Sequence, residues 1–273
     1  ATLGLLFLAS CGGSEKIATE ATTTSSSTSL SATSSTLAVT PTTQTVIATT
    51  TTIDPEDWVG PRHPLTGLPT SEGIIPRPAL AVKIGNNDVN SLPHEGLAEA
   101  DIVYEALIEA GKTRFLGIYQ SSLPDRVAPV RSARSTDISL IGNLSNPHFA
   151  YWGSNEGVGV EVEEAERSGT FVRQSAETNS SGAFSRDPSR GNSPYDGVLN
   201  PAYLIGDIPA LAPTAVFDYG ALPISAVPTF GLRWETEGRV VEYLWDQQSS
   251  KWQRFQDGSP MNDSNGIQLD SEN

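Results

Sequence analysis

The sequence predicts an α/β body, a mixed sheet with flanking helices, followed by a smaller and mainly β C-terminal part. Three observations carry that expectation. Apolar stretches of strand length alternate with stretches of helical spacing between residues 79 and 169, which is the pattern of an α/β layer. Beyond residue 213 the chain turns to short, alternating, aromatic-rich runs separated by Gly, Pro and Ser, the texture of antiparallel β structure. Before residue 54 it contains almost nothing that could form a core.

The first eleven residues include "LGLLFLASC", a short apolar run ending in small residues and Cys11, the single cysteine of the 273-residue chain. Such a run is too short to span a bilayer and suits the h-region of a signal peptide. Leu8, Ala9, Ser10 and Cys11 have the form of a bacterial lipobox, so residues 1–11 are expected to be a signal peptide and Cys11 the lipidation site. A lone cysteine in an exported chain cannot close an internal disulfide, and lipidation accounts for its presence and position. Residues 12–54 follow as a linker. From 21 to 53 they are mostly Thr and Ser without a charge, a composition that cannot offset the entropy of ordering. As a flexible coil of roughly 40 residues this tether would reach about 35 Å. The expected location is extracytoplasmic, anchored to the bacterial cell membrane through lipidated Cys11.

Residues 55–212 form the expected α/β domain and 213–273 the β-rich domain. Order should begin near "PEDWVGPRHPLTGLP", with Trp58 and Leu65 as anchors. "ALAVKIGNN", residues 79–87, reads as a strand ending in a turn. Residues 96–120, "GLAEADIVYEALIEAGKTRFLGIYQ", admit two readings: a helix over 98–109, or a hairpin of "DIVYEALIE" and "TRFLGIYQ" with a two-residue turn at Ala110 and Gly111. The aromatic and branched second half favours the hairpin. Residues 134–145 carry Ile138, Ile141 and Leu144 at helical spacing, with Ser132 or Ser135 as N-cap. "HFAYWG" reads as a strand and residues 156–169 as an acidic helix closing at Gly169. "AVFDYG", "FGLRWE", "RVVEYLWDQ" and "KWQRFQDG" supply the C-terminal strands. Trp234, Trp245 and Trp252 fit the core of that layer better than a sugar-stacking platform. The chain breaks off at "NGIQLDSEN" in mid-pattern, so the C-terminal part reads as truncated.

The formal charge of −15 disfavours nucleic acid and a polybasic membrane patch, both of which need a basic face. His63, His94 and His148 lack ligand spacing, so neither a metal nor a cofactor is expected. No serine stands in a nucleophile elbow, and "GSNEGVG" lacks the lysine of a phosphate loop.

Candidate chemistry concentrates in two places. A two-residue hairpin loop sets Arg114 opposite Leu107, on one face with Glu105 and Glu109. On a helix these glutamates would stand about 6 Å apart; on a strand the gap is about 13 Å, which is long for an acid/base pair. They are still the candidates for general acid/base work in an envelope hydrolase. Arg131 and Arg134 in "APVRSARS", with Ser132, lie where a helix begins and could seat an anion, guanidinium groups offering paired donors to carboxylate or phosphate. The same arginines could equally pair with Glu105, Glu109 or Asp137.

The runs "RPALAVKIGNN", "EADIVYE", "TRFLGIYQ" and "PVRSAR", continuing through "RGNSPYDGVLNPAYL" to "YLWDQQSSKWQRFQDG", resemble the YerB-like lipoprotein family of bacteria, whose function is unknown. The resemblance implies a lipid-anchored envelope protein with a two-part α/β body. It singles out Asn86, Glu105, Glu109, Thr113, Arg114, Arg131, Ser132 and Arg134 as motif positions. Gly85 departs from the polar or acidic residue expected in that motif. The expected ligand is an anionic small molecule or cell-wall component bound through Asn86, Thr113, Arg114, Arg131, Ser132 and Arg134, with Glu105 and Glu109 orienting the arginines.

Overall fold

A computed structural model describes residues 58–87, 89–206, 208–219, 231–236, 239–249 and 251–271. The expected signal peptide with Cys11 and the expected linker, residues 1–54, lie outside the described residues.

The sheet that organises the body begins with β1, Leu80–Asn86, every residue of which is buried. This is the central-strand pattern, buried on both faces rather than alternating, with Lys83 and Asn86 as its polar members. The hairpin reading of residues 96–120 holds: β2, Ile102–Leu107, pairs antiparallel with β3, Thr113–Tyr119. β3 pairs antiparallel with β1. After the helix α1, Ser135–Ile141, strand β4, His148–Tyr151, joins β1 in parallel. Helix α2, Glu156–Arg167, then returns the chain to β5, Val172–Ser175, parallel to β4. The order is β2-β3-β1-β4-β5, a mixed sheet with β2 at one edge.

α2 begins where the Asn155 Oδ1 accepts the Val158 N–H at 2.9 Å, an N-cap that satisfies one orphan donor. It buries Val158, Val162 and Ala165, one stripe at helical spacing. Gly169 ends it with φ +78°. The start of α1 differs from expectation. Its N-cap is Arg134, not Ser132 or Ser135, and the Asp137 carboxylate accepts the Arg134 N–H at 2.8 Å.

One face of the sheet packs Ala81, Leu116, Ile118 and Phe149 against Ile141, Val158, Val162 and Phe171. The other packs Leu80, Val82, Ile84 and Phe115 against Leu199, Ile205, Met261 and Leu269. Between α2 and the C-terminal sheet lie the short pair β6, Phe184–Arg186, and β7, Gly197–Leu199, then α3, Ala202–Ile205.

The C-terminal strands are antiparallel. They are β8, Gly231–Thr236, β9, Arg239–Asp246, β10, Lys251–Gln256, and β11, Ser259–Pro260, with β12, Asp270–Ser271, also on β10. "AVFDYG" forms no strand over its described residues. Val216 packs on the helix-side core instead, and the Tyr219 hydroxyl donates to the Leu65 carbonyl at 2.5 Å.

The hairpin register departs from the expected one. Arg114 pairs with Ala106 and Glu105 with Phe115, because the turn spans three residues, Glu109–Gly111, rather than two. Ala110 and Gly111 both take positive φ, 59° and 64°, and the Ile108 N–H donates to the Lys112 carbonyl at 2.8 Å. A shift of one residue exchanges the two faces of a strand. Arg114 therefore shares the helix-side face with Lys83, and Glu105 lies on the opposite face with Thr113 and Asn86.

Candidate functional site

The polar residues singled out in the sequence divide between two centres on opposite faces of the sheet. On the face toward the C-terminal strands, Glu105 receives the Arg254 guanidinium on both oxygens, at 2.7 and 2.9 Å. It also accepts the Thr113 hydroxyl at 2.7 Å and the Tyr243 hydroxyl at 3.1 Å. Asn86 Nδ2 donates to Thr113 Oγ1 at 2.8 Å and to Gln256 Oε1 at 3.0 Å. Arg254 is fully buried and the Glu105 side chain is 5% exposed. Burial, with the Glu105 charge behind it, pushes the Tyr243 hydroxyl up.

A carboxylate that answers a bidentate arginine and two hydroxyls has its lone pairs engaged. Glu105, Thr113 and Asn86 thus fasten the C-terminal sheet to the α/β sheet, and Glu105 does not orient Arg114. Arg254, which completes this centre, escaped the sequence reading. Its signal was a cation in a strand of alternating aromatic residues, at an inward position.

The second centre lies on the helix side. Lys83 Nζ meets Asp137 Oδ1 at 2.5 Å with both side chains fully buried. Arg134 pairs with Glu109 at 3.0 Å, the carboxylate being largely exposed. Glu109's own backbone amide and then the Arg134 hydrogen bond hold the Glu109 carboxyl below its usual range. Of the two glutamates, then, Glu109 does meet one of the arginines.

Arg131 reaches the Pro194 carbonyl at 3.0 Å and lies over the Tyr195 ring, 5.1 Å from its centroid. Gly85 is explained here: a Cβ at that position would stand 2.6 Å from Arg131 Cγ, so the glycine makes room for the arginine stem. Ser132 contributes its carbonyl, which accepts Arg114 Nη1 at 2.8 Å.

Arg114 is the unusual member. It is 4% exposed, and its remaining contact is a long one, Nε to Asn87 Oδ1 at 3.4 Å. No carboxylate among the described residues forms an ion pair with it. Burial, then the like charges of Arg134 and Arg131, push its pKa down to about 10, with Glu109 and Asp137 opposing them more weakly. Burial is also the main cause lowering the Lys83 ammonium, with Asp137 opposing it and Arg114 and Arg134 adding to it. Arg134 and Arg131 therefore both lie within electrostatic reach of Arg114.

The helix-side centre, and the Asn86, Glu105 and Thr113 part of the other, lie within a stretch with known relatives. Residues 65–211 match the family described as "Protein of unknown function (DUF3048) N-terminal domain". The chain belongs to the DUF3048 family. A relative from Bacillus subtilis (strain 168), named "Putative lipoprotein YerB", is 43% identical over 100 residues, 37% of this chain. That match spans 30% of the relative's own length. The crystal structure of YerB protein from Bacillus subtilis aligns with a TM-score of 0.62 at 27% identity, covering 77% of this chain and 71% of that one. This is a YerB-like DUF3048 protein, and its α/β body with a β-rich C-terminal sheet is the fold on which both polar centres stand.

Proposed function

We propose that this DUF3048 protein is a lipid-anchored protein of the cell envelope that binds an anionic ligand at the helix-side cluster of Arg114, Arg131 and Arg134. The observation that carries the reading is the setting of Arg114. A buried guanidinium whose hydrogen-bond partners among the described residues are neutral oxygens, and which is pressed by two further arginines, is held at an electrostatic cost. A carboxylate or phosphate that reached the cluster would relieve it, and the guanidinium groups would supply paired donors. Perturbed charged groups gathered in this way mark functional sites more often than chance. The anchor rests on the lipobox at Cys11 and on the lipoprotein name of the Bacillus relative. The alternative of an envelope hydrolase using Glu105 and Glu109 draws no support from their surroundings, since the two carboxylates serve opposite faces of the sheet.

The test is thermal unfolding of the full chain against inorganic phosphate and acetate. An anion that binds only the folded state raises Tm with concentration. Wild type should respond and Arg114→Gln should not, while sodium chloride at matched ionic strength should move neither. Equal responses in the two proteins would end the proposal. For the anchor, Cys11→Ser should pass from the membrane fraction to the soluble one.

A further inference from the structure

A second site lies away from the arginines, where the free edge of β2 meets the C-terminal sheet. Here a cleft of about 900 Å³ opens, lined on one side by Asp101–Glu105 and on the other by Leu232, Trp234, Tyr243 and Trp252. Its aromatic wall is built. Trp234 and Tyr243 stack at 5.7 Å with their planes 24° apart. Leu232 and Phe217, also at the cleft, are 55% and 49% exposed, more apolar surface than a finished interior leaves open.

The opposite wall is an unpaired strand. β2 ends the sheet, and no strand or bridge among the described residues pairs with its outer side. Antiparallel partners alternate between residues that exchange hydrogen bonds and residues that do not. Counting back from the Ile108–Lys112 bond, residues 102, 104 and 106 turn their backbone groups to β3. Val103 and Glu105 turn theirs outward. Such an edge is a template for another strand.

The cleft also has a sign. Asp101 and Asp270 line it, with Lys251 as the basic residue. Asp101 and the neighbouring Glu99 both lie close enough to the Tyr119 hydroxyl to help burial raise it, and Asp101 does the same at Tyr219. Lys251 meets Asp270 at 3.2 Å, whereas the Asp101 carboxylate accepts the Gln120 and Ser121 amides at 2.5 and 2.9 Å and forms no ion pair among the described residues, so Asp101 is the acidic group at this end of the cleft.

We infer that the cleft takes an extended segment of another polypeptide, which adds as a strand to the outer edge of β2, presents an apolar or aromatic side chain to Trp234 and Tyr243, and places a basic one toward Asp101. Main-chain pairing provides affinity and the side-chain pockets provide selection, the division of labour of strand addition. A glycan could also stack on the aromatic wall, but it would leave the outward N–H of Val103 and Glu105 without the regularly spaced carbonyls that a peptide offers.

The probe is a set of acetylated, amidated hexapeptides alternating Val with Trp, Phe, Lys or Arg, titrated into the full chain and followed by calorimetry. Members carrying both an aromatic and a basic residue should bind saturably. Methylating the alternate amide nitrogens that face β2 should weaken them about tenfold. Val103→Pro should do the same. It removes an N–H that is outside the β3 ladder, the one place where a strand tolerates proline. Should that variant lose its fold, Trp234→Ala with the methylated peptides is the equivalent test. Arg114→Gln should leave peptide binding unchanged, so this site stands or falls separately from the anion cluster. Failure of every peptide to bind, equal binding of methylated and unmethylated peptides, or saturation of the cleft by an N-acetylglucosamine hexamer that peptides cannot displace would overturn the inference.

Discussion

Glu105 and Arg254, 149 residues apart in the chain, meet as a bidentate ion pair beneath the surface and clamp the C-terminal sheet to the edge hairpin of the α/β sheet. A buried pair is a weak source of net stability, but removing one partner strands the other charge. Glu105→Gln should therefore destabilise the protein by about 3–5 kcal/mol, measured by denaturant unfolding. Amide exchange should rise first in β8, β9 and β10, before β1 and β3. Uniform loss of protection across both sheets would show that Glu105 does not act as the clamp.

The Lys83–Asp137 pair makes a similar demand on the helix side. Lys83→Met leaves the Asp137 carboxylate buried without its cation and should cost about 3–5 kcal/mol. The double variant Lys83→Met, Asp137→Asn should recover part of the loss, because Asn removes the charge and keeps an oxygen for the Arg134 N–H. A double variant no better than Lys83→Met alone would contradict this account.

His94 is a buried acid-sensitive point. Its Nε2 bonds the Gly85 carbonyl at 2.7 Å and Nδ1 is buried without a partner among the described residues. Burial, the largest cause, lowers its pKa from 6.5 to about 4. The unfolded chain thus takes up the proton before the folded one does. Stability is full above pH 6.5 and falls as pH drops from 6.5 toward 4, by on the order of 3 kcal/mol. His94→Gln keeps a donor for the Gly85 carbonyl and should flatten that part of the pH profile. An unchanged slope in the variant would place the acid sensitivity elsewhere.

Gly85→Ala tests the seat of Arg131. The added methyl would overlap the near end of the arginine stem, a contact the flexible tip cannot relieve, and the expected cost is about 1–3 kcal/mol. It should also reduce the phosphate-induced rise in Tm. An alanine variant with wild-type Tm and phosphate response would remove Arg131 from the cluster's function.

Much of this fold is legible in the sequence, because the features involved are local. β1 shows as an apolar run, α2 as a stripe from Val158 to Ala165, and β9 and β10 as aromatic alternation between turns. The hairpin was legible as a hairpin but not in register. Its parity depends on Ala110 adopting a left-handed conformation that side chains other than glycine seldom take, and nothing in "IEAGK" announces it. From that single residue followed the misplacement of Glu105 beside Arg114. The arginine cluster could be anticipated because Arg131 and Arg134 are neighbours in the chain. Arg254 could not be placed, since its partner lies in another sheet. The β2 cleft was hidden for the same reason, being formed by strands that meet only after folding.

The three-residue turn at Glu109–Gly111 is unremarkable in composition and exposed at Glu109 and Ala110, yet its length is a switch between two wirings of the molecule. Deleting Ala110 would leave every charged side chain in the polypeptide and send Arg114 toward the buried seat of Arg254, replacing attraction with repulsion. The number of residues in that turn therefore decides the wiring: a change of one in its count reassigns an entire strand.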